Sequence, residues 1–230
     1  MKNFFIFIFL VFFLLPAHSI SSFSAKYDLY LNNNLGAIKV GRADYELVVT
    51  NNVYFFRINA MTDKLWSAIY DYSIKETSIG LIESNKFIGD YYEIIENQGD
   101  TTSDKYAINT FELIINDPLK GKLELGTNSP FIVDPLNLYL NISGDIQKSG
   151  SKVLTYNFIN KKGLSQKEFT IIGLENIEIN DIEIETIRIE CSELDLVINV
   201  YKDYDFMPVF ISKTNGKSNF SLILNDFKHL

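Results

Sequence analysis

Along most of the chain after residue 20, apolar and polar residues alternate with a period of two. That period puts successive side chains on opposite faces of an extended strand, so the pattern predicts strands with one apolar face. The apolar positions are mainly Ile, Tyr, Phe and Val, which favour strands. The sequence therefore predicts a mostly β protein: a curved antiparallel sheet, forming an open or half barrel, with one or two short helices.

The first predicted hairpin can be tested by its register. Asn51-Asn52 can turn between the segments 43–50 and 53–60, which makes Val49 face Tyr54. Asparagine tolerates the positive φ that a two-residue hairpin turn requires. The same register brings three further pairs together on one face: Leu47 with Phe56, Tyr45 with Ile58, and Ala43 with Ala60. One side of this hairpin is therefore expected to cover a core.

The last predicted hairpin turns at Asn215-Gly216, the strongest two-residue turn signal in the chain. We expect Thr214 to pair with Lys217, which aligns two apolar strands. The pairs on the apolar face are then Ile211 with Phe220, Val209 with Leu222, and Met207 with Leu224.

In the segment 175–190, the apolar phase changes parity twice. We interpret Asn180-Asp181 as a turn at the first change and Glu185-Thr186 as a bulge at the second. The acidic residues in this segment lack the glycine and ligand spacing of calcium loops, so we expect them on a solvated strand face. These residues are Glu178, Glu183, Glu185 and Glu190.

One segment breaks the β pattern. After Thr62-Asp63, a good N-cap, apolar residues recur at helical spacing up to Tyr72 and predict an amphipathic helix of about three turns. We expect this helix to lie across the sheet as a lid over a ligand cavity; the alternative is that its aromatic residues only fill the core. The candidate lid and cavity residues are Leu65, Trp66, Ile69, Tyr70 and Tyr72.

A second helix start is indicated by Asp134-Pro135-Leu136-Asn137. Aspartate is a favourable helix cap, and proline is tolerated in the first turn because it has no backbone N–H to satisfy.

The N-terminal residues have the order of a cleavable signal peptide. Lys2 precedes the apolar run 4–15, and small residues follow it up to Ser19. Twelve helical residues span about 18 Å, against about 30 Å of hydrocarbon, so a permanent membrane anchor is the poorer interpretation. We expect cleavage after Ser19, with Ala25 as the alternative, and no integral membrane segment thereafter. Residues 20–230 are then a single exported β-rich domain in the periplasm or outside the cell.

Charge and cysteine content narrow the possible partners and sites. The chain has 21 basic and 29 acidic residues, a net charge of −8, and no run of Lys or Arg. Nucleic acids and anionic membrane surfaces are therefore not expected as partners. Because Cys191 is the single cysteine, an internal disulfide is impossible, and its apolar phase predicts a buried side chain.

Histidine chemistry is nearly absent from the sequence. His18 lies in the predicted signal peptide, and His229 is one residue from the last position. Ser-His-Asp and Cys-His nucleophile sites and ordinary histidine metal sites are therefore not expected. No nucleotide or dinucleotide fingerprint occurs, and we expect no cofactor and no enzymatic activity. Hydrolysis by two carboxylates is the one enzyme class left open.

The order of these features resembles bacterial domain-of-unknown-function family 3108. The resemblance rests on Tyr27-Asp28-Leu29-Tyr30, on Asp134-Pro135-Leu136, and on the final run Met207-Pro208-Val209-Phe210-Ile211 followed by Gly216. It implies a periplasmic protein of Gram-negative bacteria, with a curved sheet similar to that of lipoprotein-carrier domains. It implies no established activity and no catalytic residues.

These observations favour a non-catalytic binder of an apolar ligand such as a lipid or acyl chain. The alternative is an interaction or assembly factor of the cell envelope that engages a partner protein through a sheet edge or an acidic face.

Overall fold

The computed structural model describes residues 20–230 except 34–35, 69–70, 100, 111, 113, 118–120, 125–130, 149 and 216–217. The predicted signal peptide lies outside this range. The strands are β1 (Phe23–Asn33), β2 (Gly36–Thr50), β3 (Val53–Thr62), β4 (Tyr72–Glu83), β5 (Lys86–Gln98), β6 (Thr101–Asn109), β7 (Ile114–Asp117), β8 (Gly121–Glu124), β9 (Val153–Asn160), β10 (Gly163–Ile179), β11 (Ile182–Cys191), β12 (Leu196–Tyr201), β13 (Met207–Asn215) and β14 (Ser218–His229). The helices are α1 (Lys64–Ser67) and α2 (Asn137–Lys148).

Within these ranges, the strands form one antiparallel sheet in the order β8 to β1 and then β14 to β9. Two meanders are thus joined where the first strand pairs with the last, and β8 and β9 form the two open edges. The predicted fold class, a large antiparallel sheet that is not closed, with two short helices, is confirmed. No helix among the described residues is long and apolar enough to cross a membrane.

Helix α2 fills the concave side of this sheet. Leu140 packs in a core cluster built mainly from β1 to β6, whereas Leu138 and Ile142 pack in a second cluster built mainly from β9 to β13. The helix contacts β5, β9 and β13, which belong to both halves of the sheet. The sheet must therefore curve around α2 to bury its apolar face on both sides of the helix.

Hydrogen bonds fix α2 to the sheet at defined points. The Asn141 amide accepts from the backbone N–H of Phe87 at 3.0 Å and donates to the Phe87 carbonyl at 2.9 Å. Asn141 thus bonds the backbone of β5 as a neighbouring strand would. It does so before Tyr91, where the pairing of β5 with β6 begins. On the other side, Ser143 and Gln147 donate to the carbonyls of Phe206 and Asp205 at 2.8 and 3.1 Å.

Side chains of β6 and β9 meet on the open side of the sheet, next to the short strands β7 and β8. Ile159 of β9 is fully buried in the first core cluster, which also contains Tyr106 and Ile108 of β6. Lys161 forms an ion pair with Asp104 on the same side. The fold is therefore barrel-like, although no backbone ladder among the described residues joins the two edges of the sheet.

The first predicted hairpin is confirmed in full. β2 and β3 pair Val49 with Tyr54, and the three further pairs follow as expected. Asn51 and Asn52 have φ values of 49° and 64°, as this turn type requires.

The last hairpin exists with the predicted faces, but its predicted register is wrong by two residues. Thr214 pairs with Asn219 rather than Lys217, and Ile211 pairs with Leu222 rather than Phe220. A shift of two keeps each side chain on its face, so Val209 and Ile211 are buried as predicted. Pairing Asn215 with Ser218 makes 216–217 the connection in place of 215–216.

The turn at Asn180-Asp181 is confirmed, but the bulge predicted at Glu185-Thr186 is wrong. β11 runs regularly through that point, and the register shift lies on β10 between Ile171 and Gly173. The parity change arises because the two ends of β11 bury opposite faces. Ile189 packs in the second core cluster. Ile184, whose side chain lies on the opposite face of β11, packs against the first cluster near the β10–β11 turn.

The predicted three-turn helix is also corrected. α1 has a single turn with no buried residue, and Tyr72 already belongs to β4. The Thr62 hydroxyl accepts from the Tyr72 backbone N–H at 3.1 Å, so the β3–β4 connection closes early. The position across the sheet is occupied by α2 instead.

Asn141→Ala tests whether α2 depends on the β5 clamp. The variant leaves the buried N–H and carbonyl of Phe87 without their partner, so we expect the free energy of unfolding to fall by about 2 to 4 kcal/mol in urea denaturation. Gln147→Ala on the same helix removes one peripheral hydrogen bond and should cost about 1 kcal/mol or less. Equal losses in the two variants would show that the clamp does not anchor the helix.

Candidate functional site on the inner face of the sheet

One row of inner-facing side chains crosses five strands and contains a single carboxylate. The register aligns Tyr45 of β2, Ile58 of β3, Glu76 of β4, Ile94 of β5 and Tyr106 of β6. The four neighbours are buried, with exposed fractions of 4 to 8 %. Glu76 thus occupies a core-facing position that the alternation reserves for apolar residues.

Glu76 is held by a tyrosine. The Tyr92 hydroxyl donates to Glu76 Oε2 at 2.6 Å. Burial raises the pKa of Glu76 above its ordinary value, while the Tyr92 hydrogen bond and the charge of Lys213 oppose that rise. Lys213 is exposed and lies on the same face of β13 as the buried Ile211.

Tyrosines dominate the surroundings of this carboxylate. Tyr92 and Tyr106 have ring centroids 6.0 Å apart, and Tyr27 and Tyr45 have centroids 4.5 Å apart. Tyr139 of α2 is near enough for Glu76 to raise its pKa, in addition to the larger effect of burial. Burial raises the pKa of all five phenols, so they remain neutral and present aromatic faces and O–H groups.

Burial decreases along the inner face toward the β3–β4 connection. The row that contains Phe56 and Ser78 is fully buried, and the Glu76 row is nearly so. In the next row, Ala60 and Ile74 keep partial exposure. Leu222 and Tyr139 are also only partly buried. The same row continues into Glu96 of β5 and Asp104 of β6. We call this end of the sheet, lined by small, aliphatic and acidic side chains above Glu76, the open end.

Beneath this region, Asp134 organises the start of α2. Its Oδ1 accepts from the backbone N–H groups of Leu136 and Asn137 at 2.8 and 2.9 Å, and its Oδ2 accepts from Ser78 at 2.6 Å. The ring continues through Tyr54, whose hydroxyl lies 2.9 Å from Ser78 Oγ and accepts from Asn137 at 3.1 Å. The cap predicted at 134–137 is therefore confirmed as the beginning of a core helix.

This hydrogen-bonded ring also explains a glycine. A Cβ at Gly89 would lie 2.7 Å from Asn137 Nδ2 and 2.8 Å from Asp134 Oδ2. A glycine there lets β5 approach the ring closely, because any side chain would push the start of α2 away.

The predicted lid residues lie at the open end, where α1 joins β3 to β4. Leu65 is 79 % exposed, and Trp66 is partly exposed. Tyr72 at the start of β4 is partly buried, whereas Ile69 and Tyr70 lie outside the described residues. Their assignment as ligand-binding residues stays a prediction.

The sequence analysis did not single out Glu76. A signal for it exists: extending the inner phase of Ile74 along β4 reaches Glu76 and then Ser78. Both phases of this stretch are polar, so the alternation alone does not identify which face is buried.

Outside this region, most of the other predicted polar features lie where they were expected. Glu178, Glu183 and Glu185 are exposed on the β10–β11 hairpin, whereas Glu190 is partly buried and forms an ion pair with Arg188 at 2.7 Å. Cys191 is a buried free thiol. Among the residues that the structure describes, no group of three or more His, Cys, Asp or Glu residues is arranged to hold a metal ion.

The fold is similar to that of a solved β-barrel-like protein of the domain of unknown function DUF1849 from Brucella abortus. The two chains share 11 % sequence identity with a TM-score of 0.54, and the match covers 92 % of this chain and 99 % of the other. No family model and no curated protein matches the sequence. The likeness therefore shows a barrel-like fold and carries no activity.

Asp134 predicts a specific dependence of stability on pH. Burial raises its pKa from 3.8 to about 6 in the folded state, despite three hydrogen bonds that lower it. Because the folded state holds this proton more tightly, the contribution to stability is present below about pH 4 and is lost as pH rises through about 6. The loss is about 3 kcal/mol, since one pKa unit corresponds to about 1.4 kcal/mol.

Asp134→Asn removes the titrating group but keeps an oxygen acceptor for the two backbone N–H groups. Urea denaturation across this pH range should show the wild type losing stability relative to the variant. Asp181→Asn, in an exposed turn, should follow the wild-type profile. Parallel profiles for wild type and Asp134→Asn would contradict the assignment.

Proposed function

We propose that this protein is an exported, non-catalytic binder of an apolar ligand such as a lipid or acyl chain, held on the inner face at the open end of the sheet. The observation that supports this is the partial exposure of inner-facing Ala60, Ile74 and Leu222 next to a fully packed core. An inner face whose only role was to fill the core would bury these residues too. A concave apolar surface with a few polar groups is the usual character of a small-molecule site.

The exposed Leu65 and the partly exposed Trp66 support the same proposal. They lie on the connection that borders the open end, where they can pack against a bound chain. A solvated leucine and tryptophan at the edge of an apolar recess gain buried area when a ligand arrives.

Export from the cytoplasm is part of the proposal. Its support is the signal-peptide order of residues 1–19 together with the burial of Ile20 and Phe23, which are 4 % and 1 % exposed. Cleavage after Ser19 keeps both in the mature protein, whereas cleavage after Ala25 would remove them from the core. Membership in family 3108 stays a prediction.

Asp134 supports the non-catalytic part of the proposal. Two-carboxylate hydrolysis needs a pair of acidic groups that reach the substrate. Asp134 has no exposed surface, and its oxygens accept three hydrogen bonds within the protein. Glu76 borders the open end, and the register places Glu96 and Asp104 in the next row on the same face.

A second candidate function is suggested by the β10–β11 hairpin. Ile172, Leu174 and Ile182 are 55 %, 70 % and 63 % exposed on it, beside several glutamates. An envelope partner protein with an apolar, basic surface would cover these side chains. Crosslinking from Leu174 in intact cells tests this candidate, and a crosslinked partner should be lost in Leu174→Glu.

Native mass spectrometry followed by organic extraction tests the main proposal. Protein purified gently from its host should carry a substoichiometric apolar molecule. Ala60→Trp should abolish its retention, because the new ring fills the recess from the inner face. Met61→Trp, one residue along on the outer face, is the matched control and should retain it. Trp66→Ala should weaken retention more than Lys64→Ala.

Two results together would overturn the proposal. Every preparation would show the bare mass of the mature chain, and fatty acids, fatty amines and phospholipids would all fail to raise the melting temperature.

A further inference from the structure

We propose that the ligand carries a positively charged ammonium head on its apolar chain, and that Glu76 and the tyrosines around it bind this head. The inference rests on the proposed function, because it assigns the head group of the same ligand. The head then lies beside Glu76, and the chain lies along Ala60, Ile74 and Leu222 toward the open end.

Glu76 has unused capacity to accept hydrogen bonds. An ionised carboxylate can accept about four hydrogen bonds. Among the described residues, Tyr92 supplies its one hydrogen bond, and Glu76 forms no ion pair. Asp134 in the same core is saturated by comparison, with three donors on its two oxygens. Taking a carboxylate out of water without a counter-charge is costly, so an entering cation would relieve this cost.

The surroundings of Glu76 are rich in aromatic side chains. Tyr45, Tyr92, Tyr106 and Tyr139 all interact electrostatically with Glu76. Aromatic faces attract ammonium groups, and a carboxylate combined with several aromatic rings is the combination that recognises alkylated amines. An anionic head would instead meet a carboxylate and neutral phenols that have other partners, such as the Tyr27 hydroxyl donating to the Pro208 carbonyl at 2.7 Å.

Lys213 favours the opposite head group, so its position matters. It lies on the inner phase of β13 but is exposed, whereas Glu76 is partly buried among apolar neighbours. A charge in water is strongly screened, whereas a partly buried charge acts more strongly over the same distance. Glu96, in the next row of the same face, also acts on Glu76 and adds negative charge. These carboxylates therefore set the charge preference near Glu76, and Lys213 acts weakly at the rim.

The test uses three ligands with the same dodecyl chain: dodecyltrimethylammonium, dodecanol and dodecanoate. Each is titrated into the mature protein below its micelle concentration, with binding measured by calorimetry at mildly alkaline pH, because burial raises the pKa of Glu76 and a higher pH favours its charged form. We expect the ammonium ligand to bind about tenfold or more tightly than dodecanol, in line with one charge contact and a cation–π contact.

Glu76→Gln should abolish this preference while leaving dodecanol affinity within about threefold of wild type, because the amide keeps the shape and the acceptor for Tyr92. Lys213→Gln, the control for general surface charge, should raise the ammonium affinity slightly and lower that of dodecanoate. Circular dichroism and the melting temperature verify that each variant is folded.

The outcomes separate the two proposals. If dodecanol binds but the ammonium ligand has no advantage, or if its advantage survives in Glu76→Gln, the ammonium head is wrong and the apolar-ligand proposal stands. If dodecanoate binds best, the head group is anionic and the ammonium proposal is overturned. If none of the three binds, both proposals fail.

Discussion

A sheet this wide has one apolar face that must be kept from water, and the rest of the structure depends on how α2 meets that need. The helix lies inside the curve and supplies Leu140 to one core cluster and Leu138 and Ile142 to the other, and Leu136, just before the helix, joins the first. Its position is set by polar contacts rather than by apolar packing, which has no direction. The ring at Asp134 and the Asn141 clamp on β5 fix where the helix begins and how it is rotated.

That arrangement explains why polar groups are found deep in the core. Asn137, Asn141 and Ser143 are buried on α2, and each has hydrogen-bond partners on the sheet or its own helix. A buried polar group that is fully bonded costs little and specifies one packing arrangement. Glu76 differs because its surroundings are apolar and aromatic and its hydrogen bonding is incomplete, which is typical of a group kept for binding.

The fold itself assigns no function. A barrel-like sheet with a helix in its concavity serves as a scaffold, and its chemistry lies in the side chains at the open end. Here α2 occupies the inner face at one end and leaves the face near the β3–β4 connection partly solvated. The same helix that packs in both core clusters thus also lies next to the candidate site, through Tyr139.

Local chemistry determined much of this protein from the sequence alone. The period-two alternation predicted the antiparallel sheet, Asn51-Asn52 predicted the first hairpin to the residue, and Asp134 predicted a helix start, because each depends on neighbours in the chain. Long-range contacts decided the rest. The last hairpin register shifted by two because it is fixed by pairing with β1 and β12 as well as by its turn. The predicted lid helix has one turn instead of three, and α2, which is distant in sequence, occupies the core position. Both faces of β4 are polar around Glu76, so which face points inward is set by how the sheet curves around α2. That curvature is what places Glu76 at the candidate site. No local pattern encodes that choice, since it depends on which apolar surface the whole sheet buries.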